Sequence, residues 1–404
     1  MRKTFSFLIV LLCFFIFACT DNLLPNIASK EINYKDLIVR YKPEVNITEI
    51  KKLELREGIE SDILSAELKI FRIKINNGNY QNFKKNYLQS GLINYIEENT
   101  NYSLPDFKVH STQQNFSIKT NGLVPNDPFY NLQWNMKTID ADKAWEKTNG
   151  NKNLIVAVID SGVDSEHPDL KENLLPLIDI LDSVGESDIY SDSKITIDFK
   201  GKDGNGHGTH VSGIIAASFN NATGVAGLAG NVKILPIKAA TLIGVTSAAI
   251  LTKSITTALD NGARVINMSI GGNREAATQS LIDAVNLAIQ KGVLIVAATG
   301  NESDRSNGVI KQIGAPAIYS GVLSVSALTS LDKVANYSNG GPEVEISAPG
   351  GSGRQGEGER IYSTWPTYNT YRFYKSGVSG SYAYLSGTSM ACPHVTGTVA
   401  LLWS

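Results

Sequence analysis

Five apolar runs punctuate the second half of the chain, at 154–159 (LIVAVI), 232–237 (VKILPI), 265–270 (VINMSI), 293–298 (VLIVAA) and 322–328 (VLSVSAL). They do not alternate apolar with polar residues as half-exposed strands do. Runs this continuous suit strands buried on both faces, the situation of a parallel sheet. Helical patterns lie between them at 247–259 and 280–289, with stop signals in Asn261-Gly262 and Gly292. Strand alternating with helix predicts an α/β domain: a doubly wound, mostly parallel sheet with helices on both faces. Such a sheet places its ligands outside the carboxyl ends of its strands.

The chemistry-bearing residues fall at those ends. Run 154–159 leads straight into Asp160-Ser161-Gly162. An acid there is costly to bury without a partner, and beside an imidazole it would orient the ring. Gly206-His207-Gly208 opens a helical segment of small residues, with space around the ring. Gly387-Thr388-Ser389 precedes a second helical run, where a serine gains from the positive helix end. Gly300-Asn301 follows run 293–298, where an Asn amide can donate to a developing oxyanion. Taken singly, each has an ordinary structural explanation as a turn former, cap or idle ring.

In their extended context they do more. VIDSGVD at 158–164, GHGTHVSG at 206–213 and GTSMACPHVTG at 387–397 resemble the three active-site signatures of subtilisin-like serine proteases (peptidase family S8). INMSIGG at 266–272 and AATGN at 297–301 resemble that family's substrate strand and oxyanion segment. The order Asp, His, Ser is the one known for subtilisin. The resemblance implies Ser389 as nucleophile, His207 as general base, Asp160 as its orienting acid and Asn301 as oxyanion donor. It implies that Ser269, Ile270 and Gly271, with Gly300, line the substrate backbone, pairing by strand addition. His210 and His394 match positions without a catalytic role, and His167 and His110 have no supporting context. Asn126-Asp127-Pro128, Asp169 and Asn220-Asn221 resemble pieces of the family's structural calcium site, with Asp127, Asp169 and Asn221 as the candidate ligands. No His or Cys spacing suggests zinc, and no organic cofactor is implied. The stretch 313–316 (IGAP) aligns with the floor of the main specificity pocket and carries no acid, which implies a broad or apolar preference.

Upstream, the composition shifts near residue 120. Residues 33–104 predict strands at 37–41, 68–75 and 92–96 and helices at 47–55 and 80–89, a small α+β module similar to the family's inhibitory propeptide. Residues 105–125 read as a linker, and 126–404 as the peptidase domain. Residues 1–19 open Met1-Arg2-Lys3, run apolar to Ala18 and end at Cys19, resembling an export signal with a lipobox. That implies either a lipid anchor on Cys19 in a bacterial envelope or plain secretion. With Cys13 removed and Cys19 acylated, Cys392 has no partner for an intrachain disulfide. Lys plus Arg is 37 against 39 Asp plus Glu, a net charge of −2 that argues against nucleic acid as a partner.

The partners implied are polypeptide substrates, the chain's own propeptide as an intramolecular inhibitor, and the membrane. Three departures from the family pattern stand out. The family usually continues with further helices past the point where Ser404 lies, so a truncated C-terminus is expected. An extra acidic loop at about 176–200 and a Gly- and Tyr-rich insertion at about 351–382 are both expected near the cleft. The competing readings are a catalytically inactive, peptide-binding relative and an α/β esterase. The first should lack a catalytic residue, and none is missing; the second should carry its serine before the acid and histidine.

Overall fold

The computed structural model describes residues 34–105, 122–191, 194–353 and 360–404. Cys19, His110 and most of the 105–125 linker lie outside the described residues.

The first unit contains β1 (Tyr34–Tyr41), α1 (Ile47–Glu57), β2 (Ser61–Ser65), β3 (Ile70–Asn76), α2 (Tyr80–Gln89) and β4 (Ile93–Glu98). Helix α1 starts where Asn46 and Glu49 cap each other's backbone N–H groups, and ends at Gly58 in the left-handed conformation. The strands form an antiparallel sheet in the order β2-β3-β1-β4. One sheet face buries Leu37, Val39, Phe71 and Ile73 against Ile50, Leu53, Phe83 and Tyr87 of the two helices. The other face, through Ile38, Leu64 and Ile70, joins the core of the second unit. Strand β2 was not anticipated, because SDILS carries too few apolar residues to stand out.

After β5 (Asn101–Ser103), the second unit begins with the short helices α3 (Trp134–Thr138) and α4 (Ala141–Trp145). Then come β6 (Ile155–Asp160), β7 (Ile178–Asp179), α5 (Ile180–Ser183), β8 (Ile189–Ser191), β9 (Thr196–Asp198), α6 (His207–Ala216), β10 (Lys233–Lys238) and β11 (Val245–Ser247). The chain continues through α7 (Ala248–Asp260), β12 (Val265–Met268), α8 (Gln279–Gln290), β13 (Leu294–Ala298), β14 (Val322–Leu328), β15 (Ile346–Pro349), β16 (Ile361–Thr364), α9 (Tyr371–Ser376), β17 (Tyr382–Leu385) and α10 (Thr388–Leu402). Seven strands form one parallel sheet, ordered β15-β14-β13-β12-β6-β10-β7.

The apolar runs account for this sheet. Along β6, Ala157 and Ile159 enter the core shared with α7 and α8, while Val156 and Val158 enter the core shared with α6 and α10. Strand β13 divides in the same way, with Ile295 and Ala297 on one side and Val296 and Ala298 on the other. Each larger aliphatic chain so buried contributes about 1.5–3 kcal/mol. Run 265–270 is shorter as a strand than its apolar pattern, because Ser269 and Ile270 leave the sheet to begin the cleft wall.

The acidic loop folds as β7, α5 and the β8–β9 hairpin, and the later insertion as α9 and the β16–β17 hairpin. The two pack on each other: Tyr190 stacks on Tyr374, and Phe199, Leu242 and Tyr371 complete the cluster.

Candidate active site

Asp160 closes β6 and is fully buried. Its Oδ1 accepts from Ser161 N at 2.7 Å and lies 2.8 Å from His207 Nδ1, with Oδ2 at 3.0 Å. His207 is the first residue of α6. The helix start comes this close because residue 208 is glycine: a Cβ there would stand 2.1 Å from the Gly162 carbonyl oxygen. A carboxylate on Nδ1 fixes that nitrogen as the donor and leaves Nε2 as the basic atom of the ring.

Ser389 is the second residue of α10 and is buried. Its Oγ donates to the Ser269 carbonyl at 3.2 Å, and Ser269 Oγ donates to the Ser389 carbonyl at 2.9 Å. The helix start is thus clamped to the segment leaving β12. Asn301 follows β13, and its Oδ1 accepts from Thr388 N and Thr388 Oγ1, both at 2.9 Å. This fixes the amide orientation and turns Nδ2 toward Gly387, where an added Cβ would lie 3.1 Å away. Gly300, at φ +100°, makes that turn beside Asn339 and Glu302.

The sequence-assigned cleft residues come together around a segment of the chain itself. Ser103 of β5 exchanges two backbone hydrogen bonds with Gly271, both 3.1 Å. On its other side β5 pairs antiparallel with β11, and Leu104 N donates to the Gly244 carbonyl at 2.8 Å. Residues 101–104 are therefore the middle strand between two cleft edges. Tyr102 is buried beside Gly272, and its hydroxyl donates to the Ala276 carbonyl at 2.7 Å. Ile270 is buried in the core behind this wall. A cavity of about 310 Å³ adjoins the strand, lined by Gly271, Gly272, Ala298, Gly300, Gly314 and Glu302 among others. Gly314 belongs to the anticipated pocket floor. Glu302 does not: the pocket has an acid on its rim that a reading of 313–316 alone overlooked, although it directly follows Asn301. Its Oε2 is held by Asn339 Nδ2 at 2.5 Å.

Beneath the site lies a polar network that sequence reasoning missed. Asp203 is fully buried and collects Asn205 N, Gly206 N, Thr209 N, Thr209 Oγ1 and Ser161 Oγ, at 2.7–3.1 Å. Burial pushes its carboxyl upward while those donors pull it back down. It satisfies the orphan N–H groups at the start of α6. Its signal was its place in Asp203-Gly204-Asn205-Gly206, just ahead of a helix.

The other described histidines, His167, His210 and His394, make local hydrogen bonds that hold the fold. His210 Nε2 donates to the carbonyls of Ile361 and Ala383, tying α6 to the β16–β17 hairpin, and burial pulls its pKa down to about 3. His394 bonds Met390 O and Asn135 Nδ2 and is pulled down to about 4. His167 lies on the Ser381 carbonyl. Cys392 is a buried filler whose thiol is pushed up to about 12 by burial, so it stays protonated.

Asp127, Asp169 and Asn221 meet at one loop. Asp127 accepts from Asn220 N and Asn221 N at 2.9 and 3.0 Å. Asp169 accepts from Asn221 Nδ2 and Val225 N, both at 2.9 Å. The Asn221 side-chain oxygen is turned to Thr223 N. Burial pushes Asp169 up to about 7, with the charge of Asp127 adding to it, and Asp127 is also raised by burial. Among the described residues neither carboxyl forms an ion pair with Lys or Arg. In charge and in hard oxygen chemistry these two carboxylates fit a cation such as calcium. Among the described residues no cluster of three or more His, Cys, Asp or Glu marks a metal site.

Residues 151–404 match the subtilase family, peptidase S8. The chain belongs to the subtilase family. This subtilase is 33% identical over 375 residues to a thermophilic serine proteinase of Bacillus sp. (strain AK1), covering 91% of this chain and 78% of that one. It is 36% identical over 281 residues to thermitase of Thermoactinomyces vulgaris, covering 69% and 85%. Among solved structures it superposes on fervidolysin of Fervidobacterium pennivorans, a keratinolytic enzyme related to subtilisin. The TM-score is 0.68 at 25% identity, covering 91% of this chain and 54% of that one. The subtilase is a serine-type endopeptidase with the subtilisin-like fold, and polypeptides are its substrates.

Proposed function

We propose that this endopeptidase is made as a zymogen and works through Asp160, His207 and Ser389, with Asn301 as oxyanion donor. The observation that carries the reading is the Asp160 carboxylate on His207 Nδ1, at the end of a cleft already holding a peptide strand. Ser389 Oγ attacks the scissile carbonyl while His207 Nε2 takes its proton. The imidazolium then protonates the leaving amine, and water repeats the sequence on the acyl-enzyme. Asp160 holds the ring with Nε2 basic and stabilises its charged form. Asn301 Nδ2 donates to the tetrahedral oxyanion. Substituting Asn301 with Asp keeps an acceptor for Thr388 and removes the donor. It should lower kcat by about 10²–10³-fold, the range known for this donor in subtilisin, with KM little changed. Steady-state kinetics on a chromogenic peptide check this, and an unchanged kcat removes Asn301 from the role.

Residues 33–104 act in this reading as the propeptide. Their support is the strand 101–104 lying where a substrate backbone would pair, and the charged seams that dock the unit. Arg40 pairs with Asp283 at 2.5 Å, Arg72 pairs with Glu186 at 2.9 Å, and Glu97 accepts from Gln279 N and Ser280 N at the start of α8. Cleavage within the linker then frees the cleft. The N-terminal segment directs export and lipid attachment at Cys19. Replacing Cys19 with Ser should move the enzyme from the detergent phase to the aqueous phase on Triton X-114 partitioning. Unchanged partitioning would place the anchor elsewhere. Among the described residues no helix is long and apolar enough to cross a membrane.

A calcium ion held by Asp127 and Asp169 would neutralise the buried pair and brace the 219–225 loop. At a concentration 100-fold above Kd such binding adds about 2.7 kcal/mol to stability. Chelation should therefore lower the melting temperature of the wild type and leave an Asp169→Asn variant unmoved. Equal melting of chelated and calcium-loaded wild type would contradict it.

A further inference from the structure

The acidic insertion plants one carboxylate on the strand neighbour of the proposed catalytic acid. Asp188, buried, faces Lys238 Nζ at 2.7 Å. Lys238 is the last residue of β10, is wholly buried, and is the register partner of Asp160 across the parallel pair β10–β6. A buried ammonium is costly and is not needed to complete an apolar strand. Its other contact is the Ser161 carbonyl, at 3.1 Å. Ser161 is a hub. Its N–H binds Asp160 Oδ1 at 2.7 Å, its Oγ donates to Asp203 at 2.8 Å, and the same Oγ accepts from Gly208 N at 3.0 Å. Asp188 is itself anchored: its Oδ1 accepts from Leu242 N at 2.6 Å, and its carbonyl accepts from Phe199 N at 2.9 Å.

We infer that Lys238, with Asp188 as its counter-ion, is a positioning residue for Asp160: by fixing the Ser161 carbonyl it sets the turn whose N–H aims the catalytic carboxylate at His207. The insertion at 176–200 thus serves the triad from below, in addition to extending the surface beside the cleft. The pair also sets the local charge balance. The titratable and charged groups on the elements packed about His207 include Asp160 from β6, Asp203 from the turn before α6, and Lys238 with Asp188 from β10 and the insertion. The neutral His210 of α6 and the thiol of Cys392 on α10 are also among them. Removing Lys238 alone leaves the Asp188 anion and favours protonation of the base. Removing the Asp188 charge alone leaves the ammonium and disfavours it.

The inference rests on the Asp160–His207–Ser389 reading, and its test separates the two. Enzyme obtained from the full-length chain would be compared as wild type, Lys238→Met, Lys238→Arg, Asp188→Asn and the double variant Lys238→Met/Asp188→Asn. Rates would be expressed per site titrated with a fluorophosphonate. Lys238→Met should lose about 10- to 100-fold in kcat per site with KM little changed, as a misaimed base does. The acid limb of its pH profile should move up. Asp188→Asn should move that limb down, the double variant should return it near wild type, and Lys238→Arg should restore most of kcat. If Lys238→Met does not fold, the downward displacement in Asp188→Asn and its reversal in the double variant still decide. Unchanged kcat per site and an unmoved acid limb in Asp188→Asn and the Lys238 variants would overturn the inference while Asp160→Asn remains inactive. Near-normal turnover in Asp160→Asn would instead overturn the triad reading itself.

Discussion

Replacing Ser389 with alanine should remove peptide hydrolysis, by about 10⁶-fold in kcat, the loss that the same replacement causes in subtilisin. The residual rate over water comes from binding and the oxyanion donor alone. The replacement should be silent for the fold. Ser389 Oγ makes its bond to the Ser269 carbonyl at 3.2 Å, while the clamp on α10 is kept by Ser269 Oγ on the Ser389 carbonyl. A single neutral hydrogen bond of this kind is worth about 1 kcal/mol. The same variant tests self-processing. Strand 101–104 lies along Gly271 and Gly244, so in the proposed zymogen an uncleaved chain keeps this strand attached. A Ser389→Ala chain made without other proteases should keep its full mass. Recovery of a cleaved Ser389→Ala protein under those conditions would show that another enzyme matures it.

Asp160→Asn is expected to lower kcat by about 10⁴-fold, the effect of the equivalent change in a trypsin-like protease. Asp160 reaches His207 Nδ1 with both oxygens, at 2.8 and 3.0 Å. An amide at that position offers an N–H to Nδ1 as readily as an oxygen. The ring then carries its proton on Nε2, where the serine proton has to go. The loss should be largest near neutral pH and should fall mainly on kcat. Turnover within a few-fold of wild type would remove Asp160 from its orienting role. The variant should fold, since Asn is nearly the same shape and Ser161 N retains an oxygen to bind.

Much of this architecture was legible before any coordinates. The sheet was readable because its strands are buried on both faces, which forces unbroken apolar runs such as 154–159 and 293–298. The edge strands β7 and β15 were not, since an edge two to four residues long leaves no run to detect. The signature and oxyanion-like segments were legible because close approaches there need small neighbours: Gly208 is required by the approach of the Gly162 carbonyl, and Gly300 by its positive φ. What stayed hidden was long-range. Asp203, Asp188 and Lys238 are ordinary charged residues in sequence, and only folding brings Asp188 onto Lys238 and both near Ser161. Glu302 was passed over for a similar reason: the cavity beside strand 101–104 is assembled from several separate segments, and its acid was sought only at 313–316. The seating of 101–104 between Gly244 and Gly271 was equally invisible, because backbone pairing has no side-chain signature.

The central claim is that Ser389 is the reacting atom's owner, activated by His207 and Asp160. Labelling with a fluorophosphonate, followed by peptide mapping, addresses it most directly. Enzyme matured from the wild-type chain should take up one equivalent of label, on the peptide containing Ser389, with activity lost in proportion. Asp160→Asn should label far more slowly, and Ser389→Ala should not label. Label on any other residue, or a hydrolytically active enzyme that takes up none, would contradict the account.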